Sequence, residues 1–163
     1  MSAQIRRIEA GDVESFHACL DSVAKEGIYI AKDRAPDLER LRAFVESNIG
    51  SDVAQYVAVE NGEVVGWCDA MSSQTKSLRH RAELGMGVIK NMRGKGLGEK
   101  LLAATLEDLR RKGVTRVELE VRADNERAIG LYMKMGFAEC ARKKLGIFQQ
   151  GTYHDLVAME LFL

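Results

Sequence analysis

Cysteine and histidine are scarce in this chain. Its 163 residues include three cysteines and three histidines, scattered along the sequence. A disulfide framework or a zinc site needs such residues in closely spaced groups. We therefore expect neither a disulfide scaffold nor a metal centre. Cys68 lies in an apolar stretch and is interpreted mainly as a small buried hydrophobic residue.

Excess charge and long apolar runs are also missing. Twenty-four basic residues balance 24 acidic ones, which gives a formal net charge of zero and a pI near 6.8. A neutral chain has no overall field that would attract nucleic acid or an anionic membrane. No apolar run approaches the ~20 residues of a membrane-spanning helix, and the N-terminal MSAQIRRIEAGD lacks the apolar core of a signal peptide. We expect a soluble, cytoplasmic protein that binds neither nucleic acid nor a membrane.

The length and the apolar periodicity favour one domain spanning residues 1–163. The predicted order is β-α-α-β-β-β-α-β-α-β-β, with an Asn61-Gly62 hairpin turn between the second and third strands. The predicted strands are 4–8, 55–59, 64–71, 82–89, 117–121, 138–145 and 153–163. The predicted helices begin near residues 12, 36, 96 and 125.

The most informative stretch runs from residue 83 to residue 102, ELGMGVIKNMRGKGLGEKLL. An apolar strand, interrupted by Gly85 and Gly87, leads into a basic, glycine-rich turn and then directly into an amphipathic helix. Glycines allow main-chain N–H groups to converge on one point, and the helix adds its own free N–H groups and positive dipole end. This arrangement predicts an anion site that suits phosphate. Neither the P-loop nor the dinucleotide-binding spacing fits the turn.

Two motifs in this half of the chain point to one family. Arg93, Gly96 and Gly98 fill the pattern Arg-x-x-Gly-x-Gly, and residues 125–137, NERAIGLYMKMGF, fill Asn-x-x-Ala-x-x-x-Tyr-x-Lys-x-Gly-Phe. Together they make residues 57–163 resemble the GNAT superfamily of N-acetyltransferases. The resemblance implies an α/β (α+β) fold with a mixed, mostly antiparallel twisted sheet of about seven strands and about four flanking helices. It also implies acetyl-CoA as cosubstrate.

The resemblance further implies, position by position, which residues hold acetyl-CoA. The main chain of Met86 and Val88 would pair with the pantetheine arm, and the N–H of Val88 would polarise the thioester carbonyl. Tyr132 would protonate or hydrogen-bond the departing sulfur. The other cofactor-binding candidates are Arg93, Gly94, Lys95, Gly96, Leu97 and Gly98 around the pyrophosphate, with Asn125 and Lys134 beyond them.

The base that deprotonates the amine is open at this point. Glu83 stands at the head of the central strand, where family members often place such a glutamate, but it could equally pair with Arg81 or Arg79. His154 and Asp155 are the alternatives on the last strand, and some family members rely on solvent.

The amine acceptor is predicted only by class. Lys143 to Met159 resembles the closing hairpin of bacterial members that acetylate amino acids and similar compounds, which favours a small primary amine. The substrate-binding candidates are Glu26, Tyr29, Tyr153 and Asp155. A protein or peptide N-terminal acetyltransferase and a non-catalytic acyl-CoA sensor are the alternatives. An exposed terminal strand would also allow a homodimer.

Overall fold

The structure, a computed structural model, describes residues 2–163. Its strands are β1 (Gln4–Arg7), β2 (Ala54–Glu60), β3 (Glu63–Ser72), β4 (Arg81–Val88), β5 (Arg116–Arg122), β6 (Ala138–Gln149) and β7 (Thr152–Phe162). Its helices are α1 (Val13–Lys25), α2 (Leu38–Gly50), α3 (Leu97–Arg111) and α4 (Glu126–Lys134). Three short 3-10 helices lie at Ala10–Asp12, Lys76–Leu78 and Lys90–Met92.

All seven strands form one sheet in the order β1-β2-β3-β4-β5-β7-β6. Neighbouring strands are antiparallel except β4 and β5, which are parallel. The predicted fold class and element order are therefore confirmed. Within residues 2–163, no helix combines the length and the hydropathy that crossing a bilayer requires.

Two apolar layers fix the helices on opposite faces of the sheet. One cluster joins α1 and α2 to the first strands and includes Phe16, whose ring packs edge-on against Trp67 at a centroid distance of 5.8 Å. The other cluster joins α3 and the following segments to the opposite face, with Leu101 and Leu102 fully buried. Burying these side chains supplies most of the driving force for folding, and it holds the strand ends where the site forms.

Several predicted boundaries are corrected by local interactions. The second helix begins at Leu38 rather than at Pro36, because the Asp37 side chain caps it by accepting a hydrogen bond from the Arg40 N–H at 2.9 Å. β6 runs four residues beyond the predicted end at Leu145. Leu145 itself has φ +52°, and the register shifts between Lys143 and Ile147, so the strand continues through a bulge that the pattern did not indicate.

The two central parallel strands separate soon after they begin. β4 pairs with β5 only at Arg81 to Glu83, opposite Arg116 to Glu118, whereas β5 pairs with β7 along its whole length. From Leu84 onward, β4 therefore has a partner on the β3 side alone. The sheet opens there into a gap whose edge is unpaired main chain.

Candidate active site

A cavity of about 250 Å³ lies at this gap. It draws its walls from the end of β4, the glycine-rich turn, the start of α3, the end of β5 and the first turns of α4, and Val23 and Tyr29 close it from α1 and the loop that follows. The predicted site residues that line it are Tyr29, Met86, Val88, Arg93, Gly94, Gly96, Leu97, Gly98, Asn125 and Tyr132.

The main chain of β4 is free on the side of the gap. The Ile89 N–H donates to the Val65 carbonyl of β3 at 3.0 Å. Because successive peptide groups in a strand point to opposite sides, those of Met86 and Val88 point away from β3 and into the gap. The Val88 carbonyl accepts a hydrogen bond from Arg93 Nε at 2.8 Å, which leaves the Val88 N–H as a donor toward the cavity.

The turn after β4 has the geometry of an anion site. Gly94 and Gly96 adopt φ +77° and +78°, a left-handed conformation that residues with a Cβ rarely take. Gly96 is the N-cap of α3 and offers no side chain to bond the first N–H groups of that helix. These donors and the positive end of the helix dipole face the cavity, so the turn fits a pyrophosphate. Lys95 Nζ lies 3.5 Å from Met92 Sδ.

The Arg93 side chain joins the turn to the loop after α1. Its Nη1 and Nη2 lie 3.2 and 2.5 Å from the Glu26 carboxylate oxygens, and its guanidinium carbon lies 4.2 Å from the centre of the Tyr29 ring. Both charged side chains are largely buried. Glu26 and Arg93, predicted to contact acceptor and cofactor respectively, are thus brought together and bind each other.

Arg127 lines the same cavity and was missed at the sequence level. A Cβ placed on Gly94 would lie 2.9 Å from its Nη2, so the guanidinium rests against the glycine turn. Within residues 2–163 it forms no ion pair, which leaves it available to a phosphate. It occupies a variable position of the second motif, and its place in the first turn of a helix made it look like an ordinary exposed cation.

Tyr132 reaches the cavity from α4. Only 8% of its surface is exposed, and burial raises the pKa of its hydroxyl above the ordinary value. The hydroxyl makes no hydrogen bond to any part of the chain that the structure describes. It therefore keeps its proton and can donate it into the cavity. Asn125 caps the same helix, accepting from the Ala128 N–H at 3.2 Å.

Glu83 is exposed on the strand before the gap, and both arginines that could have paired with it have other partners. Arg81 pairs with Glu118 at 3.0 Å, and Arg79 donates to the Gln74 carbonyl at 3.2 Å. The alternative in which Glu83 pairs with Arg81 or Arg79 is therefore not found, and its carboxylate has no ion-pair partner between residues 2 and 163.

Six predicted site residues are absent from the cavity lining, namely Glu26, Glu83, Lys95, Lys134, Tyr153 and Asp155. Lys134 forms an exposed ion pair with Glu99 at 2.7 Å, and Tyr153 packs on Phe148 at a ring distance of 4.8 Å. The Asp155 carboxylate accepts from the Leu145 N–H at 3.0 Å. In the described part of the chain, no three His, Cys, Asp or Glu side chains are close enough together to hold a metal ion.

All the residues that line the cavity fall within the match to one family model. Residues 18–137 match the model of the acetyltransferase (GNAT) family, which is well over half of the chain. The chain belongs to the GNAT family of acetyltransferases.

Individual relatives and structures agree with this assignment. An L-methionine sulfoximine/L-methionine sulfone acetyltransferase of Pseudomonas paraeruginosa is 28% identical over 166 residues, covering 100% of this chain and 96% of that protein. N-alpha-acetyltransferase 30 of Schizosaccharomyces pombe is 30% identical over 91 residues, which cover 55% of this chain and 59% of that protein. The structure of yncA from Salmonella typhimurium, solved with its cofactor acetyl-CoA, is 25% identical with a TM-score of 0.92, covering 100% of this chain and 95% of that one.

These findings confirm the predicted family, the acetyltransferase activity and acetyl-CoA as cosubstrate. The unpaired main chain of Met86 and Val88, the left-handed glycines and the uncapped start of α3 are the features of this chain that fit acetyl-CoA. The roles given to individual residues stay predictions.

Proposed function

We propose that this protein transfers an acetyl group from acetyl-CoA to the primary amine of a small molecule such as an amino acid. The observation that carries the proposal is the separation of β4 from β5 beyond Glu83, which leaves main-chain donors facing a cavity beside the anion-binding turn. The whole chain, residues 1–163, would act as one catalytic domain, because its single sheet draws strands from Gln4 to Phe162.

Acetyl-CoA supplies an activated acyl group on a thioester whose sulfur leaves as a thiolate. The β4 main chain at Met86 and Val88 would hold the pantetheine arm, while the turn from Arg93 to Gly98 and Arg127 would hold the pyrophosphate. The Val88 N–H would stabilise the developing oxyanion, as fixed backbone donors do in other acyl transfers. Tyr132 would give its proton to the sulfur.

The acceptor side is the face of the sheet that carries Glu83, bounded by the loop after α1. A small amine is supported by the Pseudomonas paraeruginosa relative, which acetylates methionine sulfoximine and methionine sulfone by name and aligns over the whole chain. Arg93, Glu26 and Tyr29 close the cavity on this side and restrict the space open to an acceptor.

A peptide α-amine is the second candidate. The Schizosaccharomyces pombe relative is named an N-alpha-acetyltransferase and reaches 30% identity, although over 55% of this chain. An extended peptide needs an open groove, whereas the loop from Gly27 to Ile30 is tied down by hydrogen bonds. Arg122 and Gln149 bind its carbonyls at 3.1 and 2.8 Å.

Acetyl-CoA-dependent release of free CoA tests the proposal directly. The panel is L-methionine sulfone, L-methionine sulfoximine, other amino acids, polyamines and short peptides with free N-termini. We expect turnover with amino acids or their analogues and little with peptides. Turnover confined to peptides would replace the small-amine proposal by the peptide one. Acetyl-CoA binding without any release of CoA would favour the sensor alternative.

The cytoplasmic location and a homodimer also belong to this proposal. The support for a dimer is β6, which forms the edge of the sheet and is exposed along nearly its whole length. Cell fractionation followed by detection of the protein tests the location, and light scattering coupled to size exclusion tests the dimer.

A further inference from the structure

Asp69 is a carboxylate in the middle of the sheet that neither motif contains. It lies on β3, where its Cα pairs with Gln55 on one side and with Gly85 on the other. Only part of the residue reaches solvent, and the carboxyl group lies deep among protein atoms. Within residues 2–163 it makes no hydrogen bond and no ion pair. Burial without a partner disfavours the charged form and raises the pKa of Asp69 to about 7.

Because residue 85 is a glycine, the Asp69 carboxylate can be reached from the surface. A Cβ on Gly85 would lie 3.6 Å from Asp69 Oδ1, so the carboxylate stands over the glycine, and Gly85 itself is exposed. Because Gly85 has no side chain, nothing from β4 covers the path between Asp69 and the surface. A buried acid with such an opening can exchange a proton with a molecule in that space.

The opening lies at the point where the two parallel strands separate. Cross-strand partners share a face of a sheet, so Asp69, Gly85 and Glu83 lie on the same face, with Asp69 and Glu83 roughly 7 Å apart as diagonal neighbours. The last pair between β4 and β5 is Glu83 with Glu118. An acceptor that approaches the gap across this face therefore passes between two carboxylates that form no ion pair with any residue from 2 to 163.

We propose that Asp69 is the general base of the acetyl transfer, and that Glu83 binds the acceptor's ammonium group at the exposed rim. This rests on the function proposed above, and it assigns the acceptor as a cationic amine that enters over Gly85.

The proton and electron pairs balance as follows. Asp69 takes one proton from the acceptor R–NH3+, which frees the nitrogen lone pair. The nitrogen attacks the thioester carbonyl carbon, the C–N bond forms, and the C–S bond breaks with its electron pair on sulfur. Tyr132 gives a proton to the sulfur and recovers one from the nitrogen as the amide forms. Asp69 then releases its proton to solvent, so the net products are the amide, the free thiol and one proton.

The other charged groups on this face do not neutralise Asp69. Glu83 comes from β4, Glu118 and Glu120 come from β5, and β2 presents the uncharged Gln55 beside it. Lys143 of β6 is paired with Glu120, and Arg81 is paired with Glu118. Cys68 adjoins it in sequence, and the pKa of that thiol is itself raised by burial. Desolvation therefore determines the pKa of Asp69, and the cations on this face do not offset it.

The test measures CoA release with acetyl-CoA and L-methionine sulfone from about pH 5 to about pH 9, on the full chain and four variants. We expect Asp69→Asn to lower kcat/KM for the amine by ~100-fold or more and to remove the acidic limb of the profile, with the KM for acetyl-CoA unchanged. Asp69→Glu should restore part of the rate. Glu83→Gln should raise the KM for the amine and keep the limb. Asp37→Asn, an exposed helix cap that Asn also satisfies, is the matched control and should leave the profile unchanged.

A second readout does not depend on turnover. Carbon-13 NMR of the side-chain carboxyls, with the Asp69 signal identified by its loss in Asp69→Asn, should show a midpoint near pH 7. A midpoint near pH 4 overturns the assignment, as does an acidic limb that survives Asp69→Asn or disappears in Glu83→Gln. If the wild-type chain releases no CoA with any acceptor of the panel, the proposed function fails, and the NMR midpoint still decides whether Asp69 is a base poised near neutral pH.

Discussion

Tyr132 keeps its proton because its hydroxyl is buried and its pKa is raised. It lines the cavity without a hydrogen bond to any described residue, so its proton is available to a departing sulfur. We expect Tyr132→Phe to lower kcat by ~10 to ~1,000-fold, a range typical of lost general acid catalysis. The KM for acetyl-CoA should change little, because the ring still packs on Phe137.

Steady-state kinetics of the Phe variant with a saturating amine check this expectation. Tyr56→Phe, made in parallel, is the control, since the Tyr56 ring lies beside Arg7 and outside the cavity lining. An unchanged kcat in Tyr132→Phe would remove the role in proton transfer.

Asp69 also has a consequence for stability that needs no substrate. Its pKa is raised in the folded state from an ordinary value of 3.8 to about 7. The folded chain therefore binds this proton more tightly than the unfolded chain. The stability that the proton contributes is fully present below about pH 4 and is lost as the pH rises toward 7. Asp69→Asn has no proton to lose, and it should be more stable than the wild type at pH 8 by up to roughly 4 kcal/mol.

Urea unfolding at about pH 5 and at about pH 8 measures this effect. The gain from Asp69→Asn should be larger at the higher pH, whereas Asp37→Asn should give the same small change at both. A gain that does not grow with pH would show that Asp69 titrates normally. When a substitution stabilises a protein but removes its activity, the original residue is usually one that serves function at a cost in stability.

Which residues line the cavity was predictable from sequence where they belong to a specific motif, and not elsewhere. The specific spacing of their motifs pointed to Arg93, Gly96, Gly98 and Tyr132, and these residues line the cavity. Asp69 and Arg127 were missed, because a carboxylate in a strand and a cation on a helix become notable only when their surroundings show that they lack partners. Burial and pairing are properties of the folded chain, and single-sequence patterns do not contain them.

Among the elements, β3 fixes the position of β4 through side-chain packing. Gly87 is paired with Trp67, and a Cβ on Gly87 would lie 2.6 Å from Trp67 Cζ3, with an even closer approach to the ring end. The absence of a side chain at residue 87 therefore has a packing reason. We expect Gly87→Ala to destabilise the chain by about 1 to 3 kcal/mol through overpacking, and to raise the KM for acetyl-CoA because β4 must shift.

Denaturant unfolding of Gly87→Ala measures the effect on stability. Gly11→Ala is the matched control, because an added Cβ there meets nothing within 4 Å, and its change should stay within about 0.5 kcal/mol. A Trp67→Leu change made in both backgrounds should cost less in the Gly87→Ala chain than in the wild type. Equal losses of stability from Trp67→Leu in the two backgrounds would mean that the Trp67 ring is not what excludes a side chain at position 87.

The elements themselves were largely predictable, since each strand and helix shows its own apolar period. Their ends depended on interactions across the chain, as Asp37 capping α2 and the bulge at Leu145 show. The separation of β4 from β5 was implied by the family resemblance alone. It depends on β7 pairing with all of β5, which no local pattern of β4 contains.

For the whole molecule, the outer edge of the sheet is the feature without a partner. β6 pairs with β7 alone. Of the ten large apolar side chains exposed among residues 2–163, four lie in these two strands: Leu145, Phe148, Tyr153 and Phe162. A long, apolar edge strand is prone to pair with another chain unless it is covered. A second copy is the simplest cover, because a two-fold axis at this edge buries the same strand on both chains.

We therefore expect light scattering coupled to size exclusion to give twice the chain mass of 18.1 kDa. Phe148→Glu combined with Tyr153→Glu should shift the protein to the monomer mass, since two charges cannot be buried without partners in such an interface. Ile49→Glu changes another exposed apolar residue, on α2, and should leave the dimer intact. A monomeric wild-type chain at micromolar concentration would contradict the prediction, and a dimer that survives the double change but not Ile49→Glu would move the interface to the α2 side of the sheet.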